Sequence, residues 1–195
     1  MFDQTPEEFR EDIRRTKACL EDIAAVPVTG FRAAGFSIDS RTPWAYEILA
    51  SEGYIYSSSA HPIAHDHYGD PDAPLQPYFA GGALAEIPVA VQEVMGRRQT
   101  CAGGGWFRAM PYVLSRHLWR RLEKQGRRGV FYFHPWEIDP DQPEVSGISL
   151  KSRLRHRLNL RTMEDKVGRL LTDFRWSRID QVFASDIERL NEVAA

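Results

Sequence analysis

Cysteine is scarce: the chain holds only Cys19 and Cys101 among 195 residues. Their separation has no metal-binding or redox spacing, and one pair is too few for a disulfide-dense secreted scaffold. Two buried thiols are the expectation. An excess of charge of one sign is also missing. With 25 Lys and Arg against 27 Asp and Glu, the chain lacks the basic balance that bulk attraction to nucleic acid requires, which removes nucleic acid as an expected partner. No stretch approaches the roughly 20 consecutive apolar residues of a membrane span, so no transmembrane segment is expected. Met1 to Arg15 is acidic and helical in pattern, unlike the basic start and apolar run of a signal peptide. The chain therefore reads as soluble, cytoplasmic or envelope-associated, with no export address. Internal repeats and low-complexity tracts are lacking. Gly103-Gly104-Gly105 has neither the Gly-x-Gly-x-x-Gly spacing nor a P-loop lysine, which excludes a phosphate-cradling reading.

What is present is ordinary globular material, 43% hydrophobic and 27% charged, enough for one sizeable core and an expected single compact unit. Thr5-Pro6-Glu7-Glu8 reads as a capping box with proline at the first helical position. Phe9, Ile13, Leu20, Ile23 and Ala24 recur on one face, and the helix ends before Pro27. Val28 to Phe31 is a short strand, and Asp39-Ser40 is placed to cap a helix over Trp44 to Ser51 that Gly53 ends. Tyr54 to Ser59 has strand character. Residues 60–82 read as one long loop, of the kind often used for binding.

Ala85 to Val89 is a further strand candidate, and Cys101 to Arg108 a loop. From Pro111 a helix is predicted to about Lys124, burying Val113, Leu114, Leu118 and Leu122. Gly129 to His134 reads as a strand covered on both faces, broken by Pro135. Strands alternating with helices predict an α/β architecture with parallel strands, as an open sheet or a barrel. Beyond Pro143, Leu150, Leu154 and Leu158 recur among Lys151, Arg153, Arg155 and Arg157, a basic amphipathic helix. A second helix opens at Thr162 and a last one at Ser185-Asp186.

His134 is the residue to single out for chemistry, because functional groups gather at the carboxyl ends of strands in parallel α/β folds. A histidine there is either a general acid or base or a core histidine satisfied by its neighbours. Arg32, just past another strand, is placed to tune a carboxylate or to make a surface ion pair. His61, His65 and His67 share a loop with Asp66 and Asp70, a composition that fits zinc ligation, polar substrate contacts or plain loop solvation. Pro62 argues against the helix that shared ligation from one face would need. Trp106, Trp136 and Tyr68 are candidates for stacking on sugar rings and equally good core residues. The glycines at 103–105 suit positive φ or a close backbone approach to a ligand.

Gly30 to Ser37, Tyr56 to Ser59, His65-Asp66-His67-Tyr68-Gly69, Gly103 to Arg108 and Phe133 to Glu137 together resemble one family. They look like the NodB-homology polysaccharide deacetylases, carbohydrate esterase family four. The branch they resemble is found with exosortase and exopolysaccharide loci and carries an extra C-terminal domain. The resemblance implies an irregular (β/α) barrel, here partial, over residues 1–143, with a helical family-specific extension over 144–195. It implies de-N-acetylation of an N-acetylated polysaccharide by a divalent metal, usually zinc, with His134 as the acid that protonates the leaving amine and Arg32 as the residue that orients the base. Trp106, Trp136, Tyr68, His65 and Asp66 would then contact substrate. Ala34-Gly35 stand where the family often has Pro-Ser, and Ser57 where Asp is usual.

The family's first two motifs, which supply the base and every metal ligand, precede the helix that here starts at Thr5. The resemblance thus implies a chain without metal ligands, incomplete or inactive alone, with a missing N-terminal half or partner chain. The competing expectation is a non-catalytic carbohydrate-binding or assembly module. Lys151 to Arg178 holds nine basic residues against three acidic ones, which suits docking on an anionic polymer or membrane surface, or merely a solvated helix face.

Overall fold

A computed structural model describes residues 3–65, 69–82, 84–143, 147 and 149–192. In chain order it runs α1 (Pro6–Ala24), β1 (Gly30–Phe31), a 3-10 turn (Ala34–Phe36), α2 (Trp44–Ser51), β2 (Tyr56–Ser57), β3 (Tyr78–Phe79) and β4 (Ala85–Glu86). There follow β5 (Val91–Val94), β6 (Arg97–Thr100), α3 (Gly104–Ala109), α4 (Tyr112–Lys124) and a second 3-10 turn (Pro135–Ile138). The chain ends with α5 (Leu150–Arg157), a third 3-10 turn (Leu160–Thr162), α6 (Met163–Asp173), α7 (Ile179–Val182) and α8 (Ala184–Glu192). Where composition leads to one compact unit, the chain forms two: Met1–Val89 with Arg178–Ala195, and Ala90–Ser177. Each buries its own apolar set, around Phe9, Ile13, Leu49 and Leu84 in the first and around Phe107, Trp119, Leu122 and Met163 in the second.

In the first unit α1 opens as its sequence predicts. The Glu8 N–H donates to the Thr5 hydroxyl at 3.2 Å, and the Glu8 carboxylate accepts the Thr5 N–H at 2.8 Å. Only Phe9 and Ile13 of the predicted face are buried, whereas Leu20 and Ile23 are exposed. The reason is length: α1 packs on α2, which has eight residues against nineteen. Phe9 meets Trp44 edge-on at 5.6 Å, and Arg10 and Arg14 both grip Glu52. Asp39 does not cap α2; Pro43 occupies that position, while the Asp39 carboxylate binds the Arg41 guanidinium at 2.6 Å.

The sheet order is β1-β2-β4-β3. The first three strands are parallel, with Gly30 beside Tyr56 and Ser57 beside Glu86, as the α/β pattern predicts. β3 pairs antiparallel with β4 from inside the segment expected to be loop. The last helix, α8, packs on β3 and β4 and buries Ile187 and Leu190.

The second unit begins with an unanticipated hairpin, β5 against β6, turning at Met95 and Gly96, both at positive φ (53° and 74°). α3 starts inside the predicted loop at Gly104. α4 spans the predicted residues and buries Leu118 and Leu122 as expected, but Tyr112, Ser115 and Trp119 complete the buried face, and Val113 and Leu114 face outward. The Tyr112 hydroxyl donates to Asp173 at 2.6 Å and the Trp119 indole N–H to the Cys101 carbonyl at 3.0 Å, so the two amphipathic aromatics set the helix orientation. Gly129 to His134 is not a covered strand; it forms one bridge, at Val130, whose carbonyl accepts the Ala90 N–H at 3.1 Å. α5 forms as predicted, and its leucines are exposed. Among the described residues no helix is long and apolar enough to cross a membrane.

Candidate functional site

In the first unit, Arg32, the serines after β2 and Glu86 meet at the carboxyl ends of the three parallel strands. Arg32 donates through Nε to the Ser58 carbonyl at 2.8 Å and through its terminal nitrogen to the Ser58 hydroxyl at 2.9 Å. The Ser57 and Ser59 hydroxyls are hydrogen-bonded to each other at 2.8 Å, and the Ser59 hydroxyl accepts the Ala33 N–H at 2.9 Å. Glu86 is fully buried, and its Oε1 accepts the N–H groups of Ser59 and Ala60, each at 2.8 Å. Loss of water raises the Glu86 pKa against these donors and the Ser57 and Tyr46 hydroxyls. The pKa values of buried Tyr46 and half-buried Tyr78, near the same carboxyl, are also pushed upward, first by desolvation and then by Glu86. This hydrogen-bonded frame fixes the backbone that holds Arg32.

His61, two residues beyond Ser59, is 1% exposed and packs edge-on to Phe36 at 5.2 Å. Burial, then the charge of His65, lowers its pKa to about 4, so the imidazole is neutral at physiological pH. It is a core histidine. His65 is half-buried. His67 and the substrate candidates Asp66 and Tyr68 lie outside the described residues.

In the second unit the segment bearing His134 is fastened from beneath. Arg108 and Glu137, 3% and 2% exposed in their side chains, pair at 3.2 Å. The other carboxylate oxygen of Glu137 accepts the His134 backbone N–H at 2.9 Å. Arg108 also donates to the carbonyls of His156 (2.8 Å) and Leu158 (3.0 Å). Gly103 takes the positive φ expected of the glycine run, at 95°, and a Cβ on Gly104 would come within 1.8 Å of Glu137, so the close approach made there is to this ion pair. The His134 imidazole itself is exposed.

Trp136, the predicted sugar platform, is half-buried and stacks on His156 at 4.3 Å with 5° between planes. The Arg108 guanidinium lies 5.0 Å from the same ring. Trp106, on α3, is exposed. Lys166 ties down the end of α3, donating to the carbonyls of Phe107, Arg108 and Met110 at 2.8, 3.0 and 2.6 Å. An open cleft of about 720 Å³ beside α4 and α6 contains none of the predicted residues, and its Arg116 is paired with Asp173 at 2.9 Å.

Arg108, Glu137, Glu86 and Lys166 were not singled out from sequence. Their only signal was membership, for the first two, of the segments that carry the resemblance. Among the described residues no group of three or more His, Cys, Asp or Glu side chains is arranged to hold a metal ion.

The fold and these strand-end groups define a mixed α/β protein with a small, mainly parallel sheet and several helices. The chain belongs to the family described as Domain of unknown function (DUF3473), whose model matches residues 58–184. It is similar in fold to a solved structure from Mycobacterium smegmatis, described as a "putative polysaccharide deacetylase", with a TM-score of 0.50 and 18% identity. That match covers 97% of this chain and 58% of the other, so this chain spans little more than half its length. A search of curated proteins returns no significant match.

Proposed function

We propose that this chain is part of a metal-dependent hydrolase that removes N-acetyl groups from an exopolysaccharide, of the NodB-homology branch associated with exosortase loci. The presentation of His134 carries the reading: an exposed imidazole on a segment whose backbone is held by a buried Arg108–Glu137 pair. In this role the imidazolium gives its proton to the sugar nitrogen as the acetamide C–N bond breaks, and the fixed backbone limits the positions from which it does so. Arg32, held on Ser58, orients the base carboxylate, and Trp106 offers its ring face to a sugar. The sheet is on this reading an arc of an irregular (β/α) barrel. Residues 1–143 belong to the deacetylase-type domain and 144–195 to its extension. The metal, zinc by resemblance, takes its ligands from outside this chain.

Amine release from N-acetylglucosamine oligomers, measured on the full-length protein with zinc, tests the assignment. His134→Ala should lower kcat by roughly 10²–10⁴-fold with KM little changed; an unchanged kcat would sink it. Robust turnover by residues 1–195 alone would overturn the external origin of the ligands. Exposed Trp106 also favours a second reading, a carbohydrate-binding module without chemistry. Saturable glycan binding that survives both His134→Ala and chelation, with no amine released, would select it.

A further inference from the structure

α5 is tied to its unit near its C-terminal end. His156 stacks on Trp136, and the backbone carbonyls of His156 and Leu158 accept from buried Arg108. At 100° per residue, Leu150 and Leu154 lie on the side of the helix away from His156. They are 66% and 65% exposed, and Leu158, just past the helix, is 45% exposed. Arg153 and Arg157 flank this stripe on one side and Arg155 on the other. All three are exposed, as is Arg161, and no acidic residue occurs between Leu150 and Arg161.

Three leucines standing in water between arginines are costly unless something covers them. Like charge opposes a second copy placed face to face, since arginines would meet arginines. A polyanionic glycan satisfies the guanidinium groups but offers no hydrocarbon for the leucines. An anionic bilayer satisfies both, taking the leucines at the boundary between headgroups and acyl chains while the arginines reach lipid phosphates. We propose that α5 is an interfacial helix that docks this protein on membranes rich in anionic lipid, independently of any chemistry at His134.

Co-sedimentation with phosphatidylglycerol–phosphatidylcholine vesicles tests this, with pure phosphatidylcholine vesicles as control. Binding is expected to the anionic vesicles alone and to weaken as salt rises from 50 to about 300 mM. Arg153→Gln and Arg155→Gln should each weaken it about 5-fold, and Leu154→Ser on the order of 10-fold. These side chains are exposed, so the variants should keep the wild-type circular dichroism and melting curve. Failure to bind, or binding indifferent to these substitutions, overturns the proposal. So does a Leu154→Ser variant that changes the particle mass in sedimentation, which would assign the stripe to a second copy. Equal affinity for soluble polyphosphate, unaffected by Leu154→Ser, would likewise overturn it in favour of a polyanion.

Discussion

His61 gives the first unit a pH response that can be worked out from a single side chain. Its folded pKa of about 4 lies below the unfolded value of 6.5. Between those values the unfolded chain binds the proton and the folded chain does not, so stability falls as pH drops through that window and is unaffected above it. At pH 5 the loss is about 2 kcal/mol. Thermal melts at pH 7.5 and 5 should show it, and His61→Phe should flatten the difference. Glu86 acts with the opposite sign. Its pKa is raised on folding, so stability falls as pH rises above about 4.5. Glu86→Gln keeps a carbonyl oxygen for the Ser59 and Ala60 amides and should melt higher than wild type at pH 8. The Arg108–Glu137 pair is a third case: Arg108→Met leaves a buried carboxylate without its cation and should cost about 3–5 kcal/mol, read from denaturant unfolding.

The position of Arg32 was legible because a strand pattern followed by a break marks a strand end, and β1 does run into it; the same argument put His134 at a strand end, whereas its segment forms only one bridge, at Val130. Glu86, Arg108 and Glu137 were not legible, because their importance comes from burial. Arg108 and Glu137 stand 29 residues apart, and no local period relates them.

Elements differ in how far their own residues decide them. α1 carries a complete stop-and-start code, and Thr5→Ala should cost about 1 kcal/mol by removing the hydroxyl that accepts the Glu8 N–H. α4 was predicted with the right ends and with Leu118 and Leu122 correctly inside, but Val113 and Leu114 were expected inside and face outward. Its leucines, at 114, 118 and 122, recur every fourth residue, a spacing compatible with more than one rotation, and the choice rests on where Tyr112 and Trp119 find partners. The consequence is measurable: Trp119→Ala should destabilise by about 3–5 kcal/mol, while Leu114→Ala, on the outward side, should change stability by about 0.5 kcal/mol or less. Gly129 to His134 shows the same limit for strands. An apolar run says that side chains seek cover; it does not say that a neighbouring strand exists to complete the ladder. Here aromatic packing supplies the cover, with Phe131 edge-on to Phe107 at 5.0 Å. The β5–β6 hairpin escaped notice because Met95 at φ 53° is a weak turn signal beside the usual Asn or Asp.

At the scale of the molecule, the first unit is discontinuous: residues 178–192 return to complete it. α8 buries Ile187 and Leu190 against the sheet edge formed by β4 and β3, and Asn191 donates to the Ile55 carbonyl at 3.1 Å. Removing residues 178–195 should therefore loosen the amides of β1, β2 and β4 in hydrogen exchange while leaving those of α4 and α6 protected, because the latter belong to a separately packed unit. Equal loss of protection in both units would contradict this.

Hydrophobic period, caps and breakers act within a few residues, and they alone determined that α1, α2, α4, α5 and α6 are helices and that Arg32 follows a strand. The partition into two units, the strand that hides in residues 60–82, the face α4 buries and the ion pair beneath His134 were decided only by the folded chain. Each depends on which distant groups exclude water together, and that is a property of contact rather than of order along the chain.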